Sequence, residues 1–288
     1  MGTVSPARSD SLTLATYNVE NYGPADRMTA EGFRPGYPKP EAEKDALRAA
    51  IRALGADLLA LQEMGPAPYL EELRRDLRRE GLDYPYAAVL EAEDGARHLA
   101  VLSRRPFAAV VRHEALPITL RGGAERVKRG LLEVRLAAEG GLAVFAVHLK
   151  SRLTEAAEDP EGSERRAAEA AAVRDCVRRE FPDPAAARYV ILGDCNDGPS
   201  SPALRRLTEA GRIRIAWALP AADSRGETWT EAWRRAGLYS EFDYILVSPA
   251  LRACVRGGAA RIYDGPETTR ASDHRPVVAV LELTSPRP

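Results

Sequence analysis

The feature that most constrains this chain is a recurring one: a short apolar, β-prone run that ends in a polar residue able to do chemistry. Such runs lie at 12–17, 58–61, 99–102, 131–136, 142–147, 189–192, 244–247 and 277–283. Their lengths suit strands, because a helix of a globular protein usually needs about ten residues or more. LTLATYN ends in Asn18, with Glu20 and Asn21 just beyond, and LLALQE ends in Glu63. LAVFAVHLKS brings His148 and Lys150, and YVILGDCND brings Asp194 and Asn196. Toward the C-terminus Asp243 opens FDYILVS, and Ser272, Asp273 and His274 lead into RPVVAVLEL. Open α/β sheets gather their working residues at strand ends, in a crevice outside the sheet.

Between the runs lie helical patterns. Leu47, Ala50, Ile51 and Leu54 form one stripe, Leu70, Leu73 and Leu77 another, and each predicts an amphipathic helix. A third helix is predicted from near Ser163, a residue suited to cap it, through an alanine-rich segment to Arg179, with Pro182 as its stop. A fourth begins near Pro202. Strands separated by helices point to α/β layering. The stretch 97–147, however, holds several strands with no helical period between them, so a mixed sheet or two packed sheets follow. Residues 23–40, rich in Pro and Gly, and the polar stretch 153–162 read as loops, either lids or solvated connections. No repeat or low-complexity linker divides the chain. The expectation is one domain over 12–284, with an N-terminal extension at 1–11 and a tail at 285–288.

Composition narrows the partners. A formal net charge of −1 exerts no general pull on polyanions, so nucleic-acid binding would need a local basic patch. The three cysteines, Cys176, Cys195 and Cys254, are odd in number and widely spaced, which fits neither a disulfide framework nor a zinc site. No run approaches the roughly 20 apolar residues that span a bilayer. Residues 1–11 lack the basic-then-apolar pattern of a signal peptide. The sequence reads as a cytoplasmic monomer, or a secreted one if a leader has been removed.

Taken singly, a strand-end acid is commonly a turn former and a lone histidine commonly packs. Two carboxylates, two histidines and two carboxamides, all flanking buried strands, argue for a joint role, since polar groups there need partners. Other chemistries fit worse. Ser272, Asp273 and His274 are adjacent and cannot converge as a nucleophile triad, and no G-x-S-x-G elbow exists. Residues 194–198 have the look of a calcium loop, but the glycine comes one place early and Arg205 stands where the bidentate glutamate belongs. Four scattered histidines without an H-E-x-x-H helix serve zinc poorly.

In that order, TYNVEN, LALQE, HLKS, GDCNDGP, FDYILVS and SDHRPV resemble the endonuclease/exonuclease/phosphatase superfamily of deoxyribonuclease-like, metal-dependent phosphoesterases. The resemblance spans about 12–283; LQE alone is weak, whereas GD-x-ND and SDH-x-PV in one ordered series are specific. It implies an α/β (α+β) fold, a four-layer α/β sandwich of two central mixed β-sheets flanked by helices, with a cleft at one end. It also implies Glu63 as the principal ligand of Mg²⁺ or Mn²⁺, assisted by Asp273, Asn18 and Glu20, which suits hard cations that prefer oxygen. Asp194 would orient or deprotonate the attacking water, Asn196 and His148 would donate to the phosphate, and Asp243 would hold His274 against it. Lys150, and more weakly Arg129 and Arg97, are candidate phosphate contacts. Trp229 and Trp233 read as packing in preference to base stacking. Asp194, His274 and a metal-bound hydroxide are all chemically adequate as the base. The implied activity is a phosphodiesterase of nuclease type acting on a phosphate ester, nucleic acid among the candidates. The alternatives are a phosphomonoesterase or a small-headgroup lipid phosphodiesterase, and a non-catalytic scaffold, which the full set of core residues disfavours.

Overall fold

The computed structural model describes residues 10–29, 31–137, 140–154 and 156–283. In chain order the strands of two central sheets are β1 (Asp10–Tyr22), β2 (Leu58–Met64), β3 (Tyr86–Leu90), β4 (His98–Ser103), β5 (Phe107–His113), β6 (Leu131–Leu136) and β7 (Ala143–His148). They continue as β8 (Tyr189–Asp194), β9 (Trp217–Ala218), β10 (Ala221–Ala222), β11 (Asp243–Val247), β12 (Ala260–Ile262) and β13 (Val277–Leu283). One sheet has the order β10-β12-β13-β1-β2-β4-β3, the other β9-β11-β8-β7-β6-β5. Both are mixed: β1 runs parallel to β2, and β7 parallel to β8, while β13 and β11 lie antiparallel beside them. The hairpin-like stretch 97–147 divides between the sheets, β4 joining the first and β5 to β7 the second.

Alternation along the strands builds the layers. Leu14, Leu58 and Ala60 face inward, where they meet Val134, Val144, Val190 and Leu192 of the other sheet. Their neighbours Ala15, Leu59 and Leu61 face outward onto α1 (Glu41–Leu54) and α2 (Ala67–Arg79). On the opposite side Phe145, Tyr189 and Ile191 pack under α3 (Ser163–Glu180) and α4 (Pro202–Thr208). The order helix, sheet, sheet, helix is the expected four-layer sandwich. The two predicted stripes are the buried faces of α1 and α2.

Three expectations need correction. Ser163 does not cap α3: Gly162 precedes it in the left-handed conformation, and the Asp159 carboxylate accepts from the Glu164 and Arg165 amides at 3.3 and 3.1 Å. An acid from the preceding loop reaches those free amides where the nearer serine does not. Residues 23–40 are not an open loop but carry a hairpin, Ala25–Thr29 paired with Gly32–Tyr37. At the N-terminus, Asp10 and Ser11 already belong to β1. The rest of the expected 1–11 extension and the 285–288 tail lie outside the described residues. No helix of the described residues is long and apolar enough to cross a membrane.

Beneath α3, His113 closes a small charged cluster. Its ring lies 3.7 Å from the Cys176 sulfur and 3.1 Å from the Glu133 carboxylate, and bonds to the two push its pKa up to about 9. A group raised in the folded state adds stability that is complete below its unfolded value near 6.5 and is lost as pH climbs through about 9. His113→Ala is therefore expected to destabilise by about 2 kcal/mol at pH 6, the scale of a charged hydrogen bond, and by clearly less at pH 10. Equal losses at the two pH values in denaturant melts would refute the charged pairing.

Candidate active site

Three adjacent strands bring the centre together by register alone. His148, Asp194 and Asp243 are direct neighbours on β7, β8 and β11. The close approach depends on Gly193, where a Cβ would lie 2.0 Å from the Val147 carbonyl oxygen. Asp194 is buried among N–H groups, Asn196 N at 2.8 Å, Asn18 Nδ2 at 2.9 Å and Asn196 Nδ2 at 3.2 Å, and His148 Nε2 lies 3.4 Å from it. His274 approaches from the segment before β13, its Nδ1 bound to Asp243 Oδ2 at 2.7 Å and its Nε2 3.9 Å from Asp194 Oδ2.

The neighbouring carboxylates come from β1, β2 and the same C-terminal segment. Where β1 passes Asn18 its register with β2 shifts, and Glu20 and Asn21 take left-handed backbone at φ 48° and 53°. Glu63 does the same at φ 60° where β2 slips against β4. Bulges of this kind turn side chains out of strand alternation. With Asn196 at φ 51°, four of the five non-glycine residues of positive φ among the described residues stand at this site. Such strain, on the order of 1–3 kcal/mol per residue, persists where surrounding structure enforces it. Glu63 Oε2 accepts from Asn21 N at 3.0 Å, and Glu20 Oε2 accepts from Asp273 N at 3.1 Å.

Burial and neighbouring charge separate the titrating groups. Burial pushes Glu20 up to about 7, and the Asp273 carboxylate adds to it against the pull of Lys39. Burial likewise raises Asp194 to about 7, with His274 opposing and Asp243 reinforcing. At His274 burial favours the neutral ring, but Asp243 and Asp194 outweigh it and hold the imidazolium well above its ordinary range. Burial, then the Arg129 and His274 charges, hold His148 neutral, well below the usual value. Its Nδ1 is buried without a partner, as is Asp243 Oδ1.

Glu63, Glu20 and Asp273 offer the carboxylate oxygens that a hard divalent cation prefers, and burial together with the Asp273 charge makes Glu20 resist ionising. Asn18 fits less directly, because its Oδ1 accepts from Glu20 N at 3.0 Å and its Nδ2 holds Asp194. Among the described residues, the three acid and histidine ligand atoms that all lie within 4.8 Å of one another are those of Asp194, Asp243 and His274. Within that trio only His274 and Asp243 are hydrogen bonded, with Asp194 3.9 Å from the ring, and the ring held protonated by Asp243 would have to lose its proton to ligate.

These groups open into a cleft of about 570 Å³ lined by Glu63, Asp194, Asn196, Asp273 and His274, with Arg152, Leu153, Glu231, Trp233, Leu238 and Phe242 as walls. The other sequence candidates divide. Asn196 Nδ2 is committed to Leu149 O at 3.0 Å as well as to Asp194. Arg97 sits 3.7 Å from Glu63. Arg129 is buried, bound to Asp94 and to the Leu149 carbonyl at 3.1 and 2.8 Å. Lys150 turns its ammonium onto Ser151 O at 3.1 Å and onto the Leu153 carbonyl. Trp229 packs as expected, against Arg275. Trp233 does not: it is 51% exposed and walls the cleft. Arg152, Glu231 and Phe242 escaped sequence reasoning, since a loop arginine, a short-strand acid and a phenylalanine one place before a strand carry no local signal.

No curated protein matches the chain by sequence. Solved structures do match it in fold. Sphingomyelinase C from Streptomyces griseocarneus is 16% identical with a TM-score of 0.64, covering 94% of this chain and 99% of that one. The human Nocturnin catalytic domain with bound sulfate is 16% identical at 0.63, covering 94% and 93%. Beta toxin from Staphylococcus aureus, a double mutant with bound magnesium ions, is 16% identical at 0.62, covering 94% and 99%. The sequence pattern of one family matches residues 15–274, nearly every segment that supplies the cleft, and the chain belongs to that Endonuclease/Exonuclease/phosphatase family.

Proposed function

We propose that the protein is a divalent-metal-dependent phosphodiesterase of nuclease type, in which Asp194 activates the attacking water. The observation that carries this reading is the geometry at one cleft, where His274, bound to Asp243 at 2.7 Å, stands 3.9 Å from an Asp194 held by the N–H groups of Asn18 and Asn196. Asp194, near 7, can take a proton at neutral pH, while His274 beside it is held charged. That difference favours Asp194 over His274 as base.

Asp194 orients a water and accepts its proton as the water oxygen bonds to phosphorus and the ester oxygen leaves. The imidazolium of His274, held by Asp243, donates from Nε2 to a phosphoryl oxygen as negative charge grows there. Neutral His148 offers its Nε2 from the other side, and Asn18 and Asn196 keep the Asp194 carboxylate in place. Glu63, Glu20 and Asp273 would hold the cation, which when bound neutralises developing charge on the phosphate oxygens.

Chelation with EDTA is expected to abolish hydrolysis of bis-p-nitrophenyl phosphate, and Mg²⁺ or Mn²⁺ to restore it; full activity in EDTA would end the metal assignment. Trp233 offers an exposed ring on which an unpaired base can stack. A second reading, a lipid-headgroup phosphodiesterase, is favoured by the apolar rim of Leu153 and Leu238, 76% and 54% exposed. Assays on single-stranded RNA, supercoiled DNA, inositol phosphates and sphingomyelin vesicles separate the two. Turnover of vesicles alone would replace the nuclease reading with the second.

A further inference from the structure

α3 buries a charged pair where an apolar face is expected. Arg166 is the largest fully buried side chain among the described residues, at 1% exposure, and Glu169, one turn on, is equally buried. Two charges removed from water are unfavourable unless each finds partners, and the partners define what the pair does. Lys150 N donates to Glu169 Oε2 at 2.8 Å, and the Lys150 carbonyl accepts from Arg166 Nη1 at 3.3 Å, so residue 150 is gripped on both sides. Through Nε the same guanidinium donates to Asp197 Oδ2 at 3.2 Å.

Residue 150 lies two places after His148, and residue 197 directly follows Asn196. Between them Leu149 N donates to the Asp194 carbonyl at 3.0 Å, and the Leu149 carbonyl accepts from Asn196 Nδ2. The other Asp197 oxygen accepts from Arg152 at 3.2 Å, and Arg152 lies over the Phe242 ring in the cleft wall. We infer that Arg166 and Glu169 are positioning residues: neither lines the cleft, and both act by fixing the backbone at 150 and 197, which sets where His148 and Asn196 stand around Asp194. The kinetic part of this inference rests on the proposed hydrolysis; the structural part does not.

The test compares the full chain, with Mg²⁺, to Arg166→Met, Arg166→Lys and Glu169→Gln. Arg166→Met and Glu169→Gln are expected to lower kcat about 10²-fold, the scale of a misplacement near 1 Å, with KM changed less than about threefold. Arg166→Lys keeps the charge but not the fork and should recover part of the loss. Combined with Asn196→Ala, Arg166→Met should cost less than the product of the two effects, because the residues act as one unit. Hydrogen exchange at the Lys150 amide should quicken, and the His148 ring resonances should shift. Unchanged kcat, or strictly multiplicative effects, overturns the inference while leaving the hydrolytic reading intact. If the unaltered protein hydrolyses nothing, that reading fails, and unchanged Lys150 exchange and His148 resonances in the variants overturn this one. Should Arg166→Met not fold, the isosteric Glu169→Gln carries the same measurements.

Discussion

Replacing Asp194 with asparagine is expected to lower kcat by roughly 10²- to 10⁴-fold, the span over which a positioned proton acceptor contributes. The carboxylate is surrounded by N–H donors from Asn18 and Asn196. An asparagine amide would lose the proton acceptor and also set its own N–H group against one of those donors, so a modest fall in Tm accompanies the kinetic loss. The pH dependence separates the two effects. In the unaltered protein kcat should rise along an acid limb at or below about pH 7, as Asp194 ionises. In Asp194→Asn that limb should vanish. A limb that survives unchanged assigns the base to another group.

The same shifts carry a stability consequence. Glu20 and Asp194 are both raised to about 7 from ordinary values near 4, so their contribution to the metal-free fold is complete below about pH 4 and is lost as pH rises toward 7. A cation held by Glu20, Glu63 and Asp273 relieves their mutual repulsion only once they are ionised. Mg²⁺ should therefore raise Tm more at pH 8 than at pH 5. An equal rise at both would place the ion elsewhere.

Asp243→Asn is expected to reduce kcat by about 10²-fold or more with little change in stability. The amide oxygen can still accept from His274 Nδ1, so shape and tautomer survive, but the charge that sustains the imidazolium is gone. His274→Ala should remove the same contribution, so the double variant should lose much less than the product of the single losses. Strictly multiplicative losses would show that the two side chains work separately.

Local pattern made much of this legible. Short apolar runs located β1, β2, β7, β8, β11 and β13, and the polar residues at or beside their ends, Asn18, Glu63, His148, Asp194, Asp243 and His274, were legible with them. What stayed hidden depends on contacts between distant positions or on departures from regular backbone. The Asn18–Asp194 bond joins residues 176 apart in the chain, and no local spacing encodes it. The left-handed turns at Glu20 and Glu63 occupy positions where glycine would be the usual signal. Arg129 has the composition of a phosphate contact, yet Asp94, 35 residues earlier, binds it inside the protein. Trp233 lies on a short strand whose exposure is set by the cleft beside it, not by its own periodicity.

β1 lies between β2 on one side and β13 on the other, so the strand carrying Asn18 and Glu20 is completed only when residues 277–283 arrive. Long-range pairings of this kind form slowly, because chain closure precedes the reward of contact. On a ribosome, the emerging chain therefore carries an exposed edge on β1 until residues 277–283 emerge, and chaperones that shield unpaired strands have that edge to recognise. The same wait works as a safeguard, since His274 and β13 follow every other strand of the two sheets and no product that stops short of them can assemble the cleft.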